Sequence, residues 1–264
     1  MRAILVSPLG FLIGVSLGAL GGGGSILAVP VLVYAAGQTP KQATASSLIL
    51  VAATSLLGIA PHWKARHVRL VPGLLFSLAG VAASLLGSTL NERADQNLLL
   101  LAFSVLMLIA AGAMARSLHR HQTAPDCEVP DAQPTTITVD TVTVIKVILA
   151  GSVVGILTGF FGVGGGFVIV PALVLALGFT MPEAIGTSLL VIVINSIVAL
   201  SSRLDGGNIE WAVIIPFGIA SLSGVLVGGR MADRQEPDNL QRWFIALLVA
   251  VAGYTAIRSA TALT

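Results

Sequence analysis

Residues 17–30 read LGALGGGGSILAVP, four consecutive glycines inside a stretch that is oily on both sides. Glycine is the costliest ordinary residue to hold in a helix, at roughly 1 kcal/mol relative to alanine, so the block marks a break. The apolar segment around it runs from residue 3 to residue 36. At about 1.5 Å per residue, one continuous helix of that length would reach about 50 Å, against a hydrocarbon core of about 30 Å. The glycines are expected to divide it into an arm of about 18 residues, a turn, and a second arm of about 12. Pro30 limits helical hydrogen bonding just beyond.

Composition says what solvent surrounds this segment. The 264 residues are 55% hydrophobic and only 10% charged, with mean hydropathy +0.95; a soluble domain is about a quarter charged. Apolar runs cover 3–36, 43–60, 70–90, 97–115, 142–177, 184–200, 212–229 and 243–257. The expected fold is therefore an all-α integral membrane protein with about eight membrane segments and the lipid bilayer as its main partner. The start imitates a signal peptide, but its recurrence later in the chain argues against that reading. A net charge of +2 and a pI near 9.0 reflect loop arginines that set orientation, and no nucleic-acid partner is expected. Cys127 is the single cysteine; alone it makes no intrachain disulfide and no metal set. No metal, cofactor or catalytic residue is assigned. A homo-oligomer is compatible with the sequence.

Adding 141 to a residue number lays the first half over the second. Residues 10–48 and 151–189 align without a gap, with 16 of 39 pairs identical. Among the identities are Gly10/Gly151, Gly14/Gly155, Gly18/Gly159, Gly21/Gly162, Gly23/Gly164, Gly24/Gly165 and Pro30/Pro171. This divides the chain into an N-terminal membrane repeat (1–115), a polar cytoplasmic linker (116–141) and a C-terminal membrane repeat (142–264). Such repeats are common in secondary transporters, whose sites form where the repeats meet.

Two glycine patterns call for two readings. Gly10, Gly14 and Gly18, with Gly151, Gly155 and Gly159, have the four-residue spacing that lets membrane helices approach closely. The denser blocks, Gly21–Gly24 and Gly162–Gly166, break the helix. In a membrane that is tolerable only where the freed backbone groups are buried in protein or line a wet cavity. Near Ser25 and Gly166 the second arms would begin, and uncapped N–H groups with a partial positive charge make a ready anion site. Simple close packing is the competing account. A nucleotide loop is excluded, since it needs a preceding strand in a soluble βαβ unit.

After each break a helix opens with small hydroxyl residues, in TPKQATASSL (39–48) and TMPEAIGTSL (180–189). Thr39 and Thr180 read as N-caps, with Gln42 and Glu183 at the capping-box position. Ser46, Ser47, Thr187 and Ser188 follow within two turns, either bonding back to their own helix or donating to an oxyanion. Thr54 and its repeat partner Asn195 are secondary candidates. The stretch 61–69, with His62 and His67, reads as a basic loop at the membrane surface, with an electrostatic funnel for anions as the alternative, and 202–211, with Arg203, Asp205 and Glu210, as its counterpart, a loop rather than a site. An intramembrane serine protease is rejected because Ser25 is matched by Gly166 and no histidine lies within a hydrophobic segment.

Orientation is a tie. If each broken segment crosses the membrane the halves are parallel; if it dips in and returns, they are inverted. Lysine and arginine divide nine to five in both cases, with the linker and the 61–69 loop on the richer, cytoplasmic side. The short second arms favour re-entrant hairpins and inverted repeats.

With GGGGSILAVP and ATASSL in one half and GVGGGFVIVP and AIGTSL in the other, the sequence resembles the sulfite exporter TauE/SafE family over nearly its whole length. One departure is Ser46 where the second half has Thr187. The resemblance implies a transporter of small anions, with sulfite and organosulfonates as family substrates, and leaves the particular anion open. The anion would lie between the breaks, against Gly21, Gly23, Gly24, Ser25, Ser46 and Ser47 of one half and Gly162, Gly164, Gly165, Gly166, Thr187 and Ser188 of the other. An anion channel, a carrier of another organic anion, and a non-transporting membrane scaffold are the alternatives.

Overall fold

The computed structural model describes residues 2–91, 96–123, 141–161, 166–201, 210–232 and 234–263. Among these residues ten helices appear, α1 (Arg2–Leu20), α2 (Gly23–Tyr34), α3 (Pro40–Lys64), α4 (Leu70–Asn91), α5 (Gln96–Thr123), α6 (Thr141–Phe161), α7 (Gly166–Leu177), α8 (Met181–Ser201), α9 (Trp211–Ala232) and α10 (Pro237–Leu263). Among the described residues there is no strand. Six stretches among the described residues are long and apolar enough to cross a bilayer, in α3, α4, α5, α6, α8 and α9, while Ser7–Leu20 and Gly166–Leu177 are shorter apolar helices. Large side chains such as Leu78, Leu85, Ile109 and Ile219 stay exposed, as lipid-facing positions do. The protein is a multi-pass integral membrane protein.

The first long apolar run is divided where its glycines fall, and in the second half α6 and α7 flank Gly162–Gly165, which lie outside the described residues. The arms are 19 and 12 residues in the first half and 21 and 12 in the second. Gly21 holds φ +76°, the left-handed region that glycine enters without steric cost. After each second arm a threonine starts the next helix. Thr39 and Gln42 form a reciprocal capping box, with Pro40 in the first turn. The Thr180 N–H donates to Glu183 Oε2 at 3.3 Å. The polar stretch 116–141 begins inside a helix, because α5 continues to Thr123; Cys127 lies outside the described residues.

The four-residue glycine spacing is a packing surface. A Cβ at Gly10 would sit 3.0 Å from the Phe217 carbonyl oxygen, and one at Gly151 would sit 2.7 Å from that of Phe76. At Gly14, Gly18, Gly155 and Gly159 it would overlap the carbonyls of Ser221, Val225, Gly80 and Ser84. Only glycine lets α1 lie this close to α9, and α6 to α4. In the first seam the Ser221 hydroxyl also donates to the Gly10 carbonyl at 2.9 Å. The three glycine approaches of one seam reappear in the other 141 residues along the chain, while the Ser221 hydroxyl bond does not, since Gly80 stands at its counterpart.

These contacts fix helix directions. Phe217, Ser221 and Val225 climb α9 as Gly10, Gly14 and Gly18 climb α1, so the two run the same way. Leu50, Gly58 and Pro61 of α3 meet Gly218, Val225 and Gly229 in the same order. Hence α1, α3 and α9 are parallel. Between α1 and α3 the chain returns, since a Cβ at Gly24 would touch the Ile13 carbonyl at 2.6 Å; α2 is folded back on α1. Helix α8 runs opposite to α3, with Gly58 facing Leu189 and Gly186 facing His62. Helices α4 and α6 share the direction of α8, Arg69 meeting Thr187 and Gly73 meeting Leu190 in ascending order. Met107, Ile185, Leu189 and Phe244 are buried in one hydrophobic core, with Phe103 edge-on to Phe167 at 4.8 Å.

Candidate functional site

The start of α2 meets the start of α7. A Cβ at Gly22 would overlap the Gly166 carbonyl and approach the Phe167 nitrogen to 2.8 Å. One at Gly21 would lie 2.6 Å from Ser188 Oγ and 3.2 Å from the Ile185 Cα. Gly21, Gly22, Gly24 and Gly166 are all buried. Gly22, the N-cap of α2, makes no side-chain cap hydrogen bond. Gly23 lies in the first turn of α2, while the Ser25 side chain and Gly162, Gly164 and Gly165 lie outside the described residues.

The hydroxyl candidates are brought to this centre unequally. Ser46, Ser47, Thr187 and Ser188 are all buried, and Ser188 is the one whose oxygen faces Gly21. Its hydroxyl donates to the Ile185 carbonyl at 2.8 Å, and that of Ser47 to Thr44 at 2.8 Å. Both follow the back-bonding alternative, so each must rotate before it can donate to an anion. Thr187 Oγ1 accepts from the Arg69 backbone N–H at 3.1 Å. Ser46 Oγ and Asn195 Oδ1 are buried with no hydrogen-bond partner among the described residues. Thr54 lies elsewhere, donating to Leu50 at 2.6 Å and lining a cavity of about 10 Å³ with Leu17, Phe217 and Ser221.

The stretch 61–69 departs from the sequence reading. His62 belongs to the last turn of α3 and is 1% exposed; it is no surface-loop histidine. The chain reverses at Arg66, φ 59°, and lays His62 and His67 on Gly186, whose Cβ position is 3.1 Å from His62 Cβ and 3.0 Å from the His67 carbonyl. The two imidazoles are 6.2 Å apart. Lys64 and Arg66 stay in solvent, but Arg69 turns inward. Its Nε donates to Glu183 Oε1 at 3.1 Å, and Nη2 completes an ion pair with the same oxygen at 2.5 Å. Glu183 thus caps its own helix and also holds a cation from the other half. A glycine at 186, where the first half has Ala45, was the available sign that something packs closely there. In the counterpart loop Glu210 is exposed, and Arg203 and Asp205 lie outside the described residues. No group of three or more metal-ligating side chains occurs among the described residues.

Comparison with known proteins agrees with this architecture. A family model described as "Sulfite exporter TauE/SafE" matches residues 6–255. A probable membrane transporter protein of Xylella fastidiosa is 35% identical over 258 residues, covering 95% of this chain and 93% of that protein. The probable membrane transporter protein YunE of Bacillus subtilis is 26% identical over 245 residues, covering 88% and 87%. No solved structure gives a significant match.

Proposed function

From the premise that the chain belongs to the sulfite exporter TauE/SafE family, we propose that this membrane transporter carries small sulfur-containing anions such as sulfite and organosulfonates. The anion is held between the two glycine breaks. The observation that carries this reading is the meeting of Gly21 with Ser188 and of Gly22 with Gly166. It sets the start of α2 beside the start of α7, where helix dipoles favour negative charge. The opposed directions of α1 and α6, and of α3 and α8, support an inverted-repeat arrangement with two re-entrant hairpins. In this conformation the breaks touch, so the substrate enters when α2 and α7 part, as alternating access requires. An inside-negative potential favours anion export by about 2.3 kcal/mol per charge per 100 mV, so no coupling ion is needed.

The test is radiolabelled sulfite flux in proteoliposomes containing the full chain. Saturable flux that follows an imposed potential is expected. Flux that never saturates would favour a channel, and no flux of sulfite, sulfoacetate or any other small anion would remove the transport reading.

A further inference from the structure

Among Lys and Arg whose side chains are described, Arg69 is the one not exposed to solvent. Its side chain is 26% exposed and its partner Glu183 is 19% exposed. The Arg69 backbone N–H is bonded to Thr187, and the neighbouring Ser188 oxygen faces the Gly21 break. Glu183 and Thr187 are one turn apart on α8, about 6 Å of rise. A single guanidinium thus stands about one turn from the place where the two breaks meet. We propose that Arg69 is the first substrate ligand on the cytoplasmic path to the breaks, and that Glu183 occupies it until an oxyanion takes the carboxylate's place. This rests on the transport reading and names a binding residue that the glycine centre does not supply.

The chemistry suits the exchange. A guanidinium presents paired donors to a carboxylate or to a tetrahedral or pyramidal oxyanion in the same way, so an incoming anion competes directly with Glu183 Oε1. The pair keeps 26% and 19% of its side-chain surface open to solvent, so an incoming anion can reach the guanidinium and compete for it. The device is also one-sided. Residues 141 positions away from Arg69 and Glu183 are Glu210 and Gln42, so no cation–carboxylate pair is repeated there. An anion therefore meets a paired cation on the 61–69 side, with no counterpart at the equivalent positions of the other half.

Arg69→Gln and Glu183→Gln separate this role from a structural tie. Gln at 183 keeps the helix cap, as Gln42 does for Thr39, whose backbone N–H donates to Gln42 Oε1 at 3.3 Å. The measurement is initial flux of sulfite, sulfate and sulfoacetate by full-length protein in proteoliposomes, with Arg69→Lys as a charge-retaining variant if Arg69→Gln fails to fold. For the transported anion, Arg69→Gln should raise the half-saturation concentration roughly tenfold or more, and Arg69→Lys should raise it less. Glu183→Gln should lower it by roughly two- to fivefold. A structural tie would make both glutamine variants fall in the same direction; that result, or unchanged half-saturation in the Arg69 variants, overturns the proposal while the transport reading stands. A wild type that moves none of the three anions overturns both.

Discussion

Substituting alanine along the α1–α9 and α4–α6 seams gives a graded test of the packing. At Gly112, exposed on α5, nothing lies within 4 Å of an added Cβ. At Gly10 the nearest atom is the Phe217 carbonyl oxygen at 3.0 Å, so the neighbour must give by a few tenths of an ångström. At Gly14 and Gly155 the Cβ would overlap the Ser221 and Gly80 carbonyls, and the helices must part by roughly 1 Å to restore van der Waals contact. Overpacking costs about 1–3 kcal/mol, and alanine returns up to about 1 kcal/mol of helix propensity. Gly14→Ala and Gly155→Ala should therefore lose about 1–2 kcal/mol each. Gly10→Ala should be near neutral, and Gly112→Ala neutral or slightly stabilising. Thermal unfolding of purified protein in detergent, followed by loss of monodispersity, ranks the four. Equal midpoints for Gly14→Ala and Gly112→Ala would refute the packing, and with it the helix directions.

Two further substitutions probe the turns and caps. Gly21→Ala must hold φ +76° with Ser188 Oγ only 2.6 Å from the new methyl, so it should cost clearly more than the roughly 1–2 kcal/mol of left-handed strain alone. Gly178→Ala, at φ +68° with nothing within 4 Å, should show the strain by itself, and equal thermal midpoints for the two would contradict the contact. Thr39→Ala removes the capping box of α3 and should cost about 1 kcal/mol, restored by Thr39→Asp; a midpoint unchanged by Thr39→Ala would show that Pro40 alone starts the helix.

Local chemistry made much of this legible. Four glycines in an apolar run too long for one span mark the break, and the expected arms of about 18 and 12 residues compare with 19 and 12. Thr39 and Gln42 announce their cap through a four-residue pattern. The candidate centre was legible only in part. That Gly21 faces Ser188 follows from which helices are neighbours, and neither residue encodes that alone. Helix direction was hidden for a related reason, since counting Lys and Arg by side is blind to whether α2 returns along α1. In 61–69 the structure does have a turn with exposed residues at 63–66, but the burial of His62 and the inward turn of Arg69 were not legible, because the stretch has the composition of a surface loop. The Arg69–Glu183 pair joins residues 114 apart, and the 141-residue frame conceals it by matching them with Glu210 and Gln42. Burial of His62 depends on Gly186, which becomes informative only once α3 and α8 are known to touch.

The central claim is that a small anion binds where the two breaks meet. Its most direct test is sulfite flux through wild type and a Gly23→Val/Gly164→Val variant, both shown to be folded by monodispersity and thermal midpoint. The account predicts saturable, potential-driven flux in the wild type and at least a tenfold loss in the folded variant, because branched side chains in both glycine blocks would take the place proposed for the anion. Wild-type flux retained at full rate by the folded double variant would place the site elsewhere.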